Sequence, residues 1–176
     1  MKEETQNTIM ETVLHYAGLG WFVFPCHNIN EDGLCTCGKK CDSPGKHPRT
    51  RNGLKDASID PKQIQKWWRY WPNANIAILT GRGSGLAVLD VDVKNDGPEN
   101  LELLEAKNEP IPSTLIAQTG GGGRHYYFSY PTSGFKNSAG KIATGIDTRG
   151  DGGYVLAPPS NHKSGREYTW QDDELG

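Results

Sequence analysis

AVLDVDV, residues 87 to 93, sets Asp90 and Asp92 into an apolar, β-branched run that reads as a buried strand. Side chains alternate along a strand, so Asp90 and Asp92 share one face while Ala87, Leu89, Val91 and Val93 share the other. One face is core and the other a site. Two carboxylates this close repel each other, and burying either without a partner costs several kcal/mol, so positive charge must stand opposite them. Two arrangements supply it: a hard divalent cation, Mg²⁺ or Mn²⁺, bound through oxygen, or backbone amides and an arginine at a strand end. A pair of such ions about 3.5–4 Å apart stabilises both the attacking and the leaving oxygen of a phosphoryl transfer.

Outward from this strand, NIAILT (75–80) reads as another, joined to GLAVLDVDV (85–93) by GRGSG, which is short enough for a hairpin or a tight loop. Upstream, SIDPKQIQKWWRYWP reads as a helix with Asp60 as N-cap, Pro61 at its first position and Pro72 as terminator. Its tryptophans, Trp67, Trp68 and Trp71, are expected in the core. Apolar residues at near-helical spacing predict a helix over 5–17, followed by a strand at WFVFP (21–25). Downstream come a helix over 98–107 and strands at STLIAQT, RHYYFSY, KIATGID and GYVLAPP. The βαβ order followed by several strands predicts an α+β protein with a mixed sheet and its helices on one face. The end, WQDDELG, carries no closing element, as expected of the N-terminal portion of a longer chain.

Two further segments bear chemistry. In TGGGGRHYYF (119–128) four glycines precede a strand, where successive amides form an anion-binding nest or merely a flexible turn. His125 shares a face with Tyr127 and is either a phosphate contact or a core histidine. In GIDTRGDGGYVLAPPS (145–160), Asp147 offers a third carboxylate and Arg149 a guanidinium for phosphate, while Asp151 reads as a turn residue.

Between residues 26 and 56 there is no periodicity. CTCGKKCDSPGKHP supplies Cys35, Cys37, Cys41 and His47, a Cys₃His set suited to a closed, structural Zn²⁺ site, with Cys26 and His27 as reserves. From 35 to 55 the cations Lys39, Lys40, Lys46, Arg49, Arg51 and Lys55 face only Asp42, a basic patch able to bind phosphates or simply a solvated loop. The whole chain of 176 residues is nearly neutral, at −2, so any polyanion must be met locally. No apolar run is long enough to span a membrane, and the acidic N-terminus MKEETQNTIMETV is unlike a secretory signal, so a cytoplasmic protein is expected.

The order LDVDV, GGGGRHYYF, GIDTRGDGGYVLAPPSNHKSGREYTW resembles the bifunctional primase/polymerase (prim-pol) family of the archaeo-eukaryotic primase superfamily, over roughly 9 to 170. The resemblance implies one catalytic domain over 1–176. It would be an N-terminal αβ module joined to an RRM-like mixed sheet at about 75–170, with a zinc-binding loop insertion at about 26–56. By position it makes Asp90, Asp92 and Asp147 the catalytic Mg²⁺ or Mn²⁺ ligands and His125 a contact of the incoming nucleotide. Arg124 takes the middle place of the histidine motif and Gly123 replaces its small polar residue. Arg149 and Lys141 follow as triphosphate contacts, then His162 and Ser160.

The activity implied is nucleotidyl transfer from NTP or dNTP to a primer on a single-stranded DNA template, in DNA replication. No GxxxxGK[ST] occurs, so a helicase must come from a C-terminal region or a separate protein. A zinc-stabilised, non-catalytic single-stranded nucleic-acid binder and a two-metal nuclease are the other classes these residues allow.

Overall fold

The structure is a computed structural model that describes residues 2–171, with side chains from Thr8 onward; the DDELG end lies outside the described residues. In chain order the elements are α1 (Lys2–Gly18), β1 (Val23–Cys26), α2 (Pro61–Tyr70), β2 (Asn75–Leu79), β3 (Leu86–Val91), α3 (Gly97–Lys107), β4 (Leu115–Gln118), β5 (Arg124–Ser129), β6 (Ser138–Ala143), β7 (Ile146–Arg149), β8 (Tyr154–Ala157) and β9 (Thr169–Trp170). Single 3-10 turns cover Gly53–Asp56 and Val93–Asn95.

The α+β class holds, but the single mixed sheet does not. The strands form two sheets, β1-β2-β8 and β6-β7-β3-β5-β4-β9, and every pairing between these strands is antiparallel. The segment between β1 and β2, holding the cysteine loop and α2, is long enough for β2 to return antiparallel to β1. GRGSG closes on a single antiparallel bridge, Gly81 and Leu86 exchanging both backbone hydrogen bonds, after which the chain passes from one sheet to the other.

The inner faces of both sheets enclose the main core. Val23, Ile76, Ile78 and Val155 come from the first sheet and Val88, Ala117 and Tyr127 from the second, with Val13 and Tyr16 of α1 and Ile64 and Trp68 of α2 packed among them. Asp60 caps α2, its side chain accepting from Lys62 N at 3.0 Å, and Pro61 supplies the first turn without a wasted amide. Ile64 and Trp68, one turn apart, are the buried stripe of α2, and Trp68 Nε1 donates to Ala74 O at 3.2 Å. Trp67 and Trp71 are half-buried and pack against the main core from its edge, so the expectation of core tryptophans holds fully for Trp68 and in part for the other two. Ile64, Trp67, Trp68 and Trp71 stand at the i, i+3, i+4, i+7 spacing of one helix face, with Trp67 at its margin and Trp71 at the C-cap, where the face runs out.

The helices do not share a side. α3 lies against the outer face of the second sheet, where Leu101 meets Val91, Tyr126 and Ile146. Both faces of β3 are therefore packed, and the site begins where the inner core ends. Among the described residues, no helix is long and apolar enough to cross a membrane.

Candidate active site and metal centre

β3 runs between β5 and β7, and its register puts Asp90 directly opposite His125 on one side and Asp147 on the other. Residues opposed in this way point to the same face, so three residues far apart in sequence form one row. Arg149, two residues after Asp147, shares that face. Its Nη2 donates to Asp90 Oδ2 at 3.0 Å and to Asp147 Oδ2 at 2.8 Å, while His125 Nε2 lies 3.4 Å from Asp90 Oδ1. Burial pushes the Asp90 carboxyl up, but the charge and hydrogen bond of His125, then those of Arg149, outweigh it and hold the group well below the usual carboxylate range. His125 Nδ1 and Tyr127 Oη are buried without a hydrogen-bond partner.

Two glycines make the row possible. A Cβ at Gly123 would stand 2.2 Å from Val91 O, so only glycine lets β5 start this close to the end of β3. Gly145, at φ +75°, splits the predicted KIATGID strand into β6 and β7; a Cβ there would meet Asn95 O at 2.5 Å.

The row opens into a cleft of about 390 Å³ lined by Lys46, Asn137, Arg149, Tyr154 and Tyr168 besides Asp90 and His125. Lys46 comes from the cysteine loop; burial lowers its ammonium below the usual range, opposed by the charges of Asp90 and Asp92. Burial, then those same carboxylates, keep the Tyr168 phenol well above its usual range. Burial lowers His162 to about 4, helped by the charges of Lys46, Lys163, Lys94 and Arg166.

The remaining expected residues fall in different places. Asp92 lies one residue past β3, where its Oδ1 caps the following 3-10 turn by accepting from Lys94 N at 3.0 Å. Arg124 is exposed and, as the neighbour of His125 in β5, points to the opposite face of the sheet. Lys141 is exposed on β6, and neither lines the cleft. Asp151 is a turn residue, its Oδ1 accepting from Arg82 N at 2.9 Å and its Oδ2 bonded to the Tyr130 hydroxyl. In the glycine loop the Gly122 amide bonds within its own turn to Thr119 O, and Gly120 O accepts from Ser164 Oγ and Arg166 Nε. Ser160 is buried as a bridge, its Oγ accepting from Ile76 N at 2.9 Å.

Asn137, Tyr154 and Tyr168 were missed by sequence reasoning, and Lys46 was named only as one cation of the basic loop. The glycines of GDGGY were an available signal for Tyr154; nothing in the sequence singled out Lys46 from the other loop cations.

The cysteine loop gathers as expected. Ligand atoms of Cys35, Cys37, Cys41 and His47 lie within 4.8 Å of one another, and these four could hold a metal ion. Cys35 Sγ is 3.4 Å from His47 Nε2 and also accepts from Gly45 N at 3.3 Å. Three thiols and an imidazole, with an amide pointed at sulfur, are a donor set for a soft, tetrahedral ion. Cys26 is buried elsewhere, with Sγ near Lys46 O, and His27 bonds Thr36 Oγ1, so neither reserve joins the set. Burial, then the charges of Arg49 and His47, lower His27 to about 4. Among the described residues this is the one group of three or more such side chains at ligand spacing. Asp90, Asp92 and Asp147 are not gathered in this way: Asp92 caps the turn after β3, Arg149 stands between Asp90 and Asp147, and Asp147 Oδ1 accepts from Gly140 N at 2.9 Å.

Residues 13–175 match the family described as bifunctional DNA primase/polymerase, N-terminal, and the chain belongs to that family. The membership points to a DNA primase/polymerase role, with DNA and nucleotides as substrates. Among curated proteins, none matches the chain.

Proposed function

We propose that the chain is a metal-dependent nucleotidyltransferase that adds nucleotides from NTP or dNTP to a primer on a DNA template, as part of DNA replication. The observation that carries this reading is the row Asp147–Asp90–His125, of which Asp90 and His125 line a cleft together with Lys46 and Arg149. In this reading residues 1–176 are one primase-like domain. It has an N-terminal αβ module, an RRM-like sheet at about 75–170, and a loop insertion at about 26–56 held by Zn²⁺ on Cys35, Cys37, Cys41 and His47.

Mg²⁺ or Mn²⁺ on Asp90, Asp92 and Asp147 would supply charge neutralisation at the phosphates. The protein's own part is positioning. Arg149, exchanging its carboxylates for a phosphate, and Lys46 hold the triphosphate, while His125 offers its unpaired Nδ1. The primer 3′ oxygen then bonds to the α-phosphorus, the bond to the β-phosphate oxygen breaks, pyrophosphate leaves and the hydroxyl proton passes to solvent. Arg124 and Lys141 stand on other surfaces of the second sheet, where the primer-template duplex is their remaining ligand. Unwinding falls to a helicase in a C-terminal region or a separate protein, in the cytoplasm.

A zinc-stabilised binder of single-stranded nucleic acid has no use for two carboxylates and a histidine aligned in one row. The test is extension of a labelled primer on a DNA template, with NTPs or dNTPs in Mg²⁺ or Mn²⁺, alongside template alone. Longer products that vanish with Asp147→Asn support the proposal. No product from purified, metal-replete protein in any combination refutes it.

A further inference from the structure

The three faces of α2 part company. One is core, through Ile64 and Trp68, with Trp67 and Trp71 packed on it but half open to solvent, and Tyr70 beside them is 77% exposed. Tyr70 and Trp71 meet edge to face at 5.0 Å, and the Arg49 guanidinium lies 5.6 Å from the centre of the Trp71 ring. Arg49 is itself anchored, Nη2 donating to Asn28 Oδ1 at 2.9 Å and Thr36 Oγ1 at 2.6 Å. Three open hollows meet at Trp71, of about 580, 610 and 790 Å³.

Charge decides what such a surface takes. Lys62, Lys66 and Arg69 flank one hollow and Arg51 and Lys55 another, and among the described residues none of the five has an ion-pair partner. The acids within the patch are engaged locally: Asp56 accepts from Asn52 N and Nδ2, and Asp60 caps α2. Glu31 and Asp32 line the third hollow, the one that Arg49, Tyr70 and Trp71 share with Asn28 and Thr36.

From this we infer that the α2 surface of Trp67, Tyr70 and Trp71, with Arg49, Arg51, Lys55, Lys62, Lys66 and Arg69, docks single-stranded nucleic acid. Bases stack on exposed rings whatever their sequence, and the flanking cations track the phosphates. A second copy of the chain fits poorly, because a two-fold contact would set this cationic patch against itself. That the docked strand is the template rests on the function proposed above; the docking itself does not.

The test is anisotropy of a short fluorescein-labelled oligothymidine, without triphosphate or divalent cation, on the full chain. Tyr70→Ala removes a ring that the fold does not use and should weaken binding at least ~5-fold. Lys66→Ala combined with Arg69→Ala should make the slope of log K against log salt shallower by about 1.4, the value for two phosphates of a single strand. Triphosphate affinity, measured without oligonucleotide, should stay parental in all variants. Parental affinity and salt slope in both variants overturn the inference, as does a dimer in sedimentation that Tyr70→Ala dissociates while oligonucleotide binding persists. Binding that responds as expected in a protein that extends no primer would leave the strand site standing and the polymerase reading refuted.

Discussion

Asp90→Asn removes one negative charge from the centre of the site while keeping the side chain's shape. Repulsion between Asp90 and Asp92 alone argues that the change should stabilise the metal-free protein. The structure reverses that sign, because Asp90 faces Arg149 at 3.0 Å and His125 at 3.4 Å while Asp92 caps a turn one residue beyond the strand. A hydrogen bond to a charged group contributes about 1.5–3 kcal/mol. The side chains of Asp90 and Arg149 are 23% and 32% exposed, and the asparagine retains one acceptor, so solvent screening trims the loss to about 1–2 kcal/mol. For a chain of this size that is a fall in Tm of about 2–8 °C.

The pH dependence carries the same sign. A carboxyl held below its ordinary range stabilises the fold above its unfolded pKa, about 3.9, and this contribution is lost as pH falls toward the lowered value. Calorimetry of both proteins without divalent metal should therefore show a gap at pH 7 that closes in acid. Primer extension at saturating metal should drop at least ~10²-fold. An Asp90→Asn protein as stable as the parent at pH 7, or more so, refutes the pairing argument; parental extension refutes the assignment of Asp90 to the chemistry.

Three other outcomes are expected. Cys35→Ser should lower Tm and bound zinc together, read by thermal unfolding and elemental analysis on the same preparation, since a structural metal's binding free energy is folding free energy. His125→Ala should raise the KM for nucleotide with little change in oligonucleotide affinity; an unchanged KM and kcat removes His125 from the site. His162, lowered to about 4, stays neutral in the fold while the unfolded chain takes up a proton near 6.5, so stability declines as pH falls between those values. His162→Gln should flatten that decline relative to the parent, followed by urea unfolding across the same range.

Much of the site was legible because its residues sit in strong local patterns. The alternation in LDVDV placed Asp90, the capping residues Asp60 and Pro61 placed α2, and crowded thiols placed the metal set. What was not legible depends on pairing between distant segments. Nothing near Asp90 says that Asp147 will lie opposite it on one side and His125 on the other, nor that Arg149 will bridge the two acids. The mixed sheet was an error of the same kind, since strand direction is set by the path of the connections rather than by the strands. Trp67 and Trp71 were read as core and are partly so: the i, i+3, i+4, i+7 spacing names the face, but not that Trp67 lies at its margin and Trp71 at the C-cap. Lys46 was legible only as one of six cations in the basic loop: it reaches the cleft through the fold of the loop around it.

The first sheet is closed by β8, a strand that arrives some 75 residues after β2, with Ile76 opposite Ala157 and Ile78 opposite Val155. On the ribosome, then, a nascent chain that has emerged only through β7 holds β2 with one edge open and the apolar residues Ile76 and Ile78 uncovered on that side. At typical synthesis speeds of about 5–20 residues per second, this open edge persists for seconds. Unpaired strand edges are templates for pairing with other chains. The late strand that completes the fold is thus also its exposure to misassembly during synthesis, and fragments ending before Tyr154 should be aggregation-prone rather than smaller folded units.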